Sequence, residues 1–296
     1  MNSVLKGALF VALGSSCYGM LTTFVKLAYK EDFTVYEVTF AQLFIGFIGL
    51  IFLNFFLKKS NRPEETKAVR NRSRLYLMLS GTSLGFTSIF YYLAMETITV
   101  SVGIVLLMQS VWIGVMFDII VNKVKPTKQK IFSVILVLVG TVLAADILTK
   151  DQSASGIGLF YGFCAAISFA ATIITSSRVS LQYHSITRSK WMILGGLIVA
   201  TIFTAFTFGG EFDFGILKLW GPILALFGTI LPPLFLTSGM PKINVGLGAI
   251  ISSIELPVAV MMGYFVLGEQ QNYIKWIGIL MILSAIILMN YKKAVR

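Results

Sequence analysis

Ten stretches of this chain are apolar over the length that a helix needs to cross a bilayer. A span takes about 20 predominantly apolar residues. Segments 4–28, 35–57, 75–95, 99–121, 130–148, 156–178, 190–208, 217–239, 244–267 and 273–291 each meet that requirement. Lipid offers no hydrogen bonds, so backbone crossing it must satisfy itself, and for runs of this length that means an α-helix. Lys58 to Arg74 is the one long polar gap, and the others are too short to hold a soluble domain. The expected fold is therefore an all-α integral membrane protein of ten transmembrane helices. The first apolar run follows Lys6 as a signal peptide's would. It continues through Tyr18 and Thr22 to Leu27 without an A-x-A site, so it is expected to remain as the first span.

Charge placement sets the orientation. The chain carries 24 Lys and Arg against 13 Asp and Glu, a net charge of +11. A nucleic-acid binder gathers such charge on a soluble surface, whereas here it sits in short gaps between apolar runs. With the N-terminus in the cytoplasm, the inner gaps and ends hold Lys6; Lys58, Lys59, Arg62, Lys67, Arg70, Arg72 and Arg74; Lys123, Lys125, Lys128 and Lys130; Arg178, Arg188 and Lys190; Lys242; and Lys292, Lys293 and Arg296. The outer turns hold Glu31, Asp32, Glu96, Asp151, Glu211, Asp213 and Glu269. The positive-inside rule then predicts an inner-membrane protein with both termini cytoplasmic. Cys17 and Cys164 both fall in apolar segments, so neither a disulfide framework nor a metal site is expected, and no cofactor is called for.

The chain also carries a faint internal repeat. Tyr91 to Gly103 aligns with Leu236 to Gly248 at an offset of 145, with Met95/Met240, Ile98/Ile243, Val100/Val245 and Gly103/Gly248 identical. Gly7 aligns with Gly158, and Tyr18 with Phe169, at the start of each half. Five helices per half is an odd number, so residues 151–296 would enter the membrane inverted relative to residues 1–150. The charges swap to match, Glu96 against Lys242 and Lys123 against Glu269. Inverted repeats around a midplane site are a recurring carrier architecture.

These features resemble the ten-helix EamA family of the drug/metabolite transporter superfamily over essentially the whole chain. The most specific match is Ser252-Ser253-Ile254-Glu255-Leu256-Pro257-Val258-Ala259 through Leu267-Gly268-Glu269, which is similar to the family's Glu-Pro-Val helix ending in Leu-Gly-Glu. A leucine stands between Glu255 and Pro257, and the fourth helix reads Gln109-Ser110-Val111-Trp112-Ile113 with no equivalent proline. The resemblance implies export or exchange of amino acids or related metabolites.

Of the 13 acidic residues, only Glu255 lies at the centre of an apolar segment. A central acid costs on the order of 2.5–3.5 kcal/mol on insertion scales, so it faces the bundle interior and marks a functional position. Glu255 is the candidate for proton coupling and for contact with a charged solute; a protonated acid that only ties helices together is the bland alternative. Ser252 and Gly248 recur on its face at helical spacing, a pattern that serves close packing as readily as a cavity. Gln109 and Trp112 on the fourth helix, Tyr91 on the third, Tyr18 on the first, and Ser168 and Thr172 on the sixth complete the candidate substrate-binding set. Each of these hydroxyls and rings has an ordinary packing role open to it. Pro232, Pro233 and Pro257 interrupt helical hydrogen bonding and are candidate gating positions or static kinks. Gly81-x-x-x-Gly85 and Gly158-x-x-x-Gly162 fit close helix approach.

A membrane-embedded enzyme would need a second acid beside Glu255 or a nucleophile with a histidine base. The single histidine, His184, falls in a loop. A secondary carrier of a small amino-acid-like or other metabolite, monomeric or homodimeric and surrounded by lipid, is the expectation. A gradient-driven uniporter is the variant within it.

Overall fold

A computed structural model describes residues 2–56, 66–98, 100–145, 155–210, 212–268 and 272–294. Lys58, Lys59, Arg62, Lys150, Asp151, Glu211, Glu269, Arg296 and the 150/151 division lie outside the described residues. Within them the regular structure is entirely helical: α1 Ser3–Lys30, α2 Val35–Phe55, α3 Lys67–Thr97, α4 Val100–Leu107, α5 Ser110–Ile120, α6 Lys128–Ala144 and α7 Gly156–Arg178. The chain continues as α8 Ser185–Thr207, α9 Trp220–Ala225, α10 Leu231–Gly239, α11 Val245–Ser252, α12 Glu255–Leu267 and α13 Tyr273–Ala294.

Eight stretches among the described residues are long and apolar enough to cross a membrane, and Tyr273–Met289 is a shorter apolar helix. The outer surface fits a lipid solvent. Phe55, Phe206 and Phe265 are 83%, 87% and 72% exposed, while Asp118, Arg188, Gln42 and Glu255 are buried. Water would favour the reverse arrangement.

The two central apolar segments expected to be continuous helices are each broken. Residues 99–121 divide into α4 and α5, and residues 244–267 divide into α11 and α12. Both breaks have the same construction. Gln109 N–H donates to Leu106 O and Val111 N–H to Met108 O, at 2.9 and 3.0 Å. In the second break Ile254 N–H donates to Ile251 O and Leu256 N–H to Ser253 O, at 3.1 and 3.2 Å. These are tighter i→i+3 turns in place of the regular helical ladder. Pro257 has no N–H to give the Ser253 carbonyl, which accounts for the second break. The first has no proline; there the Gln109 side chain donates to Val105 O at 3.0 Å and competes for helix carbonyls.

Every boundary of the two breaks repeats at the offset of 145. Val100 and Val245 start α4 and α11, Leu107 and Ser252 end them, and Ser110 and Glu255 start α5 and α12. Ile98 and Ile243 share an extended backbone, with φ/ψ of −130°/159° and −132°/163°. Left-handed residues also recur at that offset, at Lys123 (φ 50°) and Gly268 (φ 67°). Gly268 caps α12 in that conformation, which an L side chain resists.

The packing crosses between halves. α1 lies against α10, α11 and α12, while α7 lies against α3, α4 and α5. Gly7 faces Gly239, Lys242 and Ile243, and Gly158 faces Ala94, Thr97 and Ile98. α2 packs on α8, and α6 on α13 as an outlying pair.

Charged residues assigned to inner gaps turn out to be structural. Lys130 and Arg188 are buried in the first turns of α6 and α8, 5% and 2% exposed. Arg188 donates to Val179 O, Thr237 O and Ser176 O at 3.0, 2.7 and 2.7 Å, tying the ends of α7 and α10 to α8. His184, expected in a loop, is the N-cap of α8, and its Nδ1 accepts Ile186 N–H at 3.3 Å.

Candidate functional site

Helices from both halves enclose a cavity of about 590 Å³, including its opening. Its wall is built mostly from α1, α2 and α3, with Leu107 from the end of α4, Phe169 from α7, Ile193 from α8, Gly228 and Glu255.

Glu255 enters from the first turn of α12, at the break. Its position there replaces the expected one in mid-helix. It is 5% exposed, and its Oε2 has no hydrogen-bond partner among the described residues. A buried carboxylate oxygen without a partner is costly. Its helix is held against α1 at Gly19, which faces the Glu255 carbonyl, Val258 and Ala259.

Aromatic rings form most of the rest. Tyr18 from α1 meets Phe169 from α7 edge to face, with centroids 5.8 Å apart. Tyr91 and Tyr92 stand side by side at 6.2 Å. Tyr92 Oη donates to Gln42 Oε1 at 2.8 Å, fixing both side chains.

Near Gly228 the chain departs from α-geometry. Leu226–Ile230 forms a π-turn in which Leu231 N–H donates to Leu226 O, and Pro232 and Pro233 follow as the first interior residues of α10. Prolines there lack the N–H groups that the preceding turn's carbonyls would accept, and the wider turn is the result. It brings Gly228 to the cavity wall beside Gln42.

The structure therefore brings Glu255, Tyr18 and Tyr91 of the candidate set to one cavity, and Thr22 and Tyr92 with them. The other candidates do not line it. Gln109 and Trp112 satisfy each other, Trp112 Nε1 donating to Gln109 Oε1 at 3.0 Å. Ser252 donates to Gly248 O at 3.0 Å in its own helix. Thr172 bonds Ser83 Oγ at 2.7 Å across α7 and α3, and Ser168 offers its carbonyl to Thr172. Pro232 and Pro233 lie just beyond the π-turn, and Pro257 sits buried in the first turn of α12. Gln42, Thr87 and Ser88 line the cavity without having been singled out from sequence. For Gln42 a signal existed: it is an amide well inside the second apolar segment, the feature that drew attention to Gln109.

A second polar cluster lies away from the cavity. Asp118, fully buried, accepts Lys130 Nζ at 2.8 Å and Gly246 N–H at 2.7 Å on Oδ2, and Asn122 Nδ2 at 2.7 Å on Oδ1. It joins α5 and α6 to the N-terminus of α11, whose unsatisfied N–H groups favour a carboxylate.

Comparison with known proteins gives a consistent result. The family model described as the EamA-like transporter family matches twice, over residues 5–145 and 156–291. An "Uncharacterized transporter" from Archaeoglobus fulgidus is 23% identical over 289 residues, covering 95% of each chain. A solved structure titled "Crystal structure of protein" superposes with a TM-score of 0.73 over 97% of this chain and 96% of its own, at 13% identity. At that identity the likeness speaks for the fold.

Proposed function

The chain belongs to the EamA-like transporter family of the drug/metabolite transporter superfamily, and we propose that it is a secondary carrier moving a small amphipathic metabolite by alternating access, in the direction of export or exchange. It is a multi-pass membrane transporter. In this reading α4 with α5, α9 with α10, and α11 with α12 each count as one span. The chain then makes ten crossings as two inverted five-helix repeats, residues 1–150 and 151–296. Support comes from the two separate family matches, the break boundaries repeating at 145 residues, and the exchanged packing of α1 and α7. The K/R asymmetry supports placement in the inner membrane with both termini cytoplasmic.

The observation that carries the reading is the unpartnered Glu255 Oε2 in the wall of a cavity built by both halves. A carrier needs a site that either half can expose in turn. A carboxylate that alternately holds a proton and meets solute couples the two. The π-turn before Pro232 and Pro233, and the break before Pro257, are the places where backbone hydrogen bonding is already relaxed, and bending of the halves concentrates there.

The test is flux from proteoliposomes loaded with a broad metabolite mixture, with and without an imposed pH gradient. The expected result is depletion of a small set of amphipathic solutes, at a rate that the gradient changes. No depletion beyond protein-free liposomes overturns the carrier reading. Depletion indifferent to the gradient replaces coupled transport with uniport.

A further inference from the structure

We propose that the solute is an organic cation: an amine on an apolar body of aromatic size, without a carboxylate of its own. The proposal rests on the carrier reading and narrows its substrate class. Among the described residues, the cavity wall contains one carboxylate, Glu255, and no lysine, arginine or histidine. An amino acid would bring a carboxylate into that space as well as an amine. Burying a charge without a countercharge costs several kcal/mol, and here only the amine has one.

The neutral donors in the wall supply no countercharge. Thr87 Oγ1 donates to Ser83 O at 2.7 Å, and the Tyr92 hydroxyl donates to Gln42 Oε1 at 2.8 Å. Both are committed within the protein, whereas the Tyr91 hydroxyl, without a partner among the described residues, is a neutral donor still open. The open acceptor that can carry charge is Glu255 Oε2. An ammonium group placed against it gains a charge-assisted hydrogen bond that none of the described residues makes.

The remaining surface suits the body of such a molecule. Tyr18, Tyr91, Tyr92 and Phe169 line the same cavity as the acid. Aromatic faces attract a cation as well as an apolar ring, most strongly when water is excluded. Leu21, Leu43, Leu84 and Ile193 complete an apolar floor that a second charged group would have to leave exposed or desolvate.

The experiment compares three molecules of one shape in proteoliposomes of the full-length protein: phenethylamine, phenylalanine and 3-phenylpropionate. Each is measured by direct efflux and by competition for phenethylamine counterflow. The amine is expected to move, with the zwitterion and the acid at least about tenfold slower. Glu255→Gln, close in shape, is expected to abolish that preference while eluting as the same species on size exclusion. If phenylalanine or phenylpropionate moves as fast as the amine, or if none of the three moves, the assignment is wrong. In either case depletion of other solutes in the broad screen leaves the carrier reading standing. Retained amine preference in folded Glu255→Gln also overturns the proposal, because the discriminating charge then lies elsewhere.

Discussion

Replacing Lys130 with methionine removes the countercharge of Asp118 and little else. Methionine is one atom shorter but keeps an unbranched apolar stem, so packing against α11 is largely preserved. Asp118, with no exposed surface, keeps its bonds from Gly246 N–H and Asn122 Nδ2 but loses the 2.8 Å ion pair. Breaking a buried pair by removing one partner costs about 3–5 kcal/mol, most of it from the stranded charge. Two donors remain on the carboxylate here, so the lower end applies, about 3 kcal/mol. Adding Asp118→Asn removes the stranded charge and keeps an oxygen for Gly246, so the double variant is expected to recover more than half of the loss. SDS-titrated unfolding in mixed micelles reads both quantities. A single-variant cost under about 1 kcal/mol, the value of an exposed pair, refutes the picture of a dry ion pair. Additive losses in the double variant refute the stranded-charge account.

Glu255→Gln is expected to uncouple solute flux from an imposed pH gradient in proteoliposomes; persistence of the wild-type dependence would place the coupling group elsewhere. Arg188→Met strips donors from the carbonyls of Val179, Thr237 and Ser176. At about 1 kcal/mol for each buried acceptor left unmade, the loss is on the order of 3 kcal/mol by the same unfolding assay, and Arg188→Lys recovers only part because its single ammonium lacks the guanidinium's planar fork. Gly195→Val sets a side chain into the carbonyl of Met78, on the contact where Gly81 of α3 meets Met192 of α8. Overpacking there costs about 1–3 kcal/mol, whereas Gly156→Ala, with open space around it, shows no comparable loss.

The membrane fold was legible because it depends on a sum over many residues. A run of about 20 apolar side chains crosses lipid as helix whatever its neighbours do, so the positions of α1, α2, α7 and α8 follow from composition along the chain. Glu255 was legible for the same reason, since its cost is set by depth alone. Helix ends were less so: α3 begins at Lys67 and α8 at Ser185, several residues before the apolar runs at 75 and 190, because Thr66 caps an exposed first turn of α3 and Arg188 finds carbonyl partners in the first turn of α8.

Tertiary structure decided which polar groups share a space. Gln109 and Gln42 carry the same signal in sequence, yet one bonds its own helix and Trp112 while the other holds Tyr92 at the cavity. Lys130 and Arg188 read as loop cations until Asp118 and three carbonyls are seen beside them. Sequence thus determined what must leave water, an additive property of each segment. The partner that each buried polar group finds depends on how helices far apart in the chain rotate against one another, and only the packed bundle fixes that.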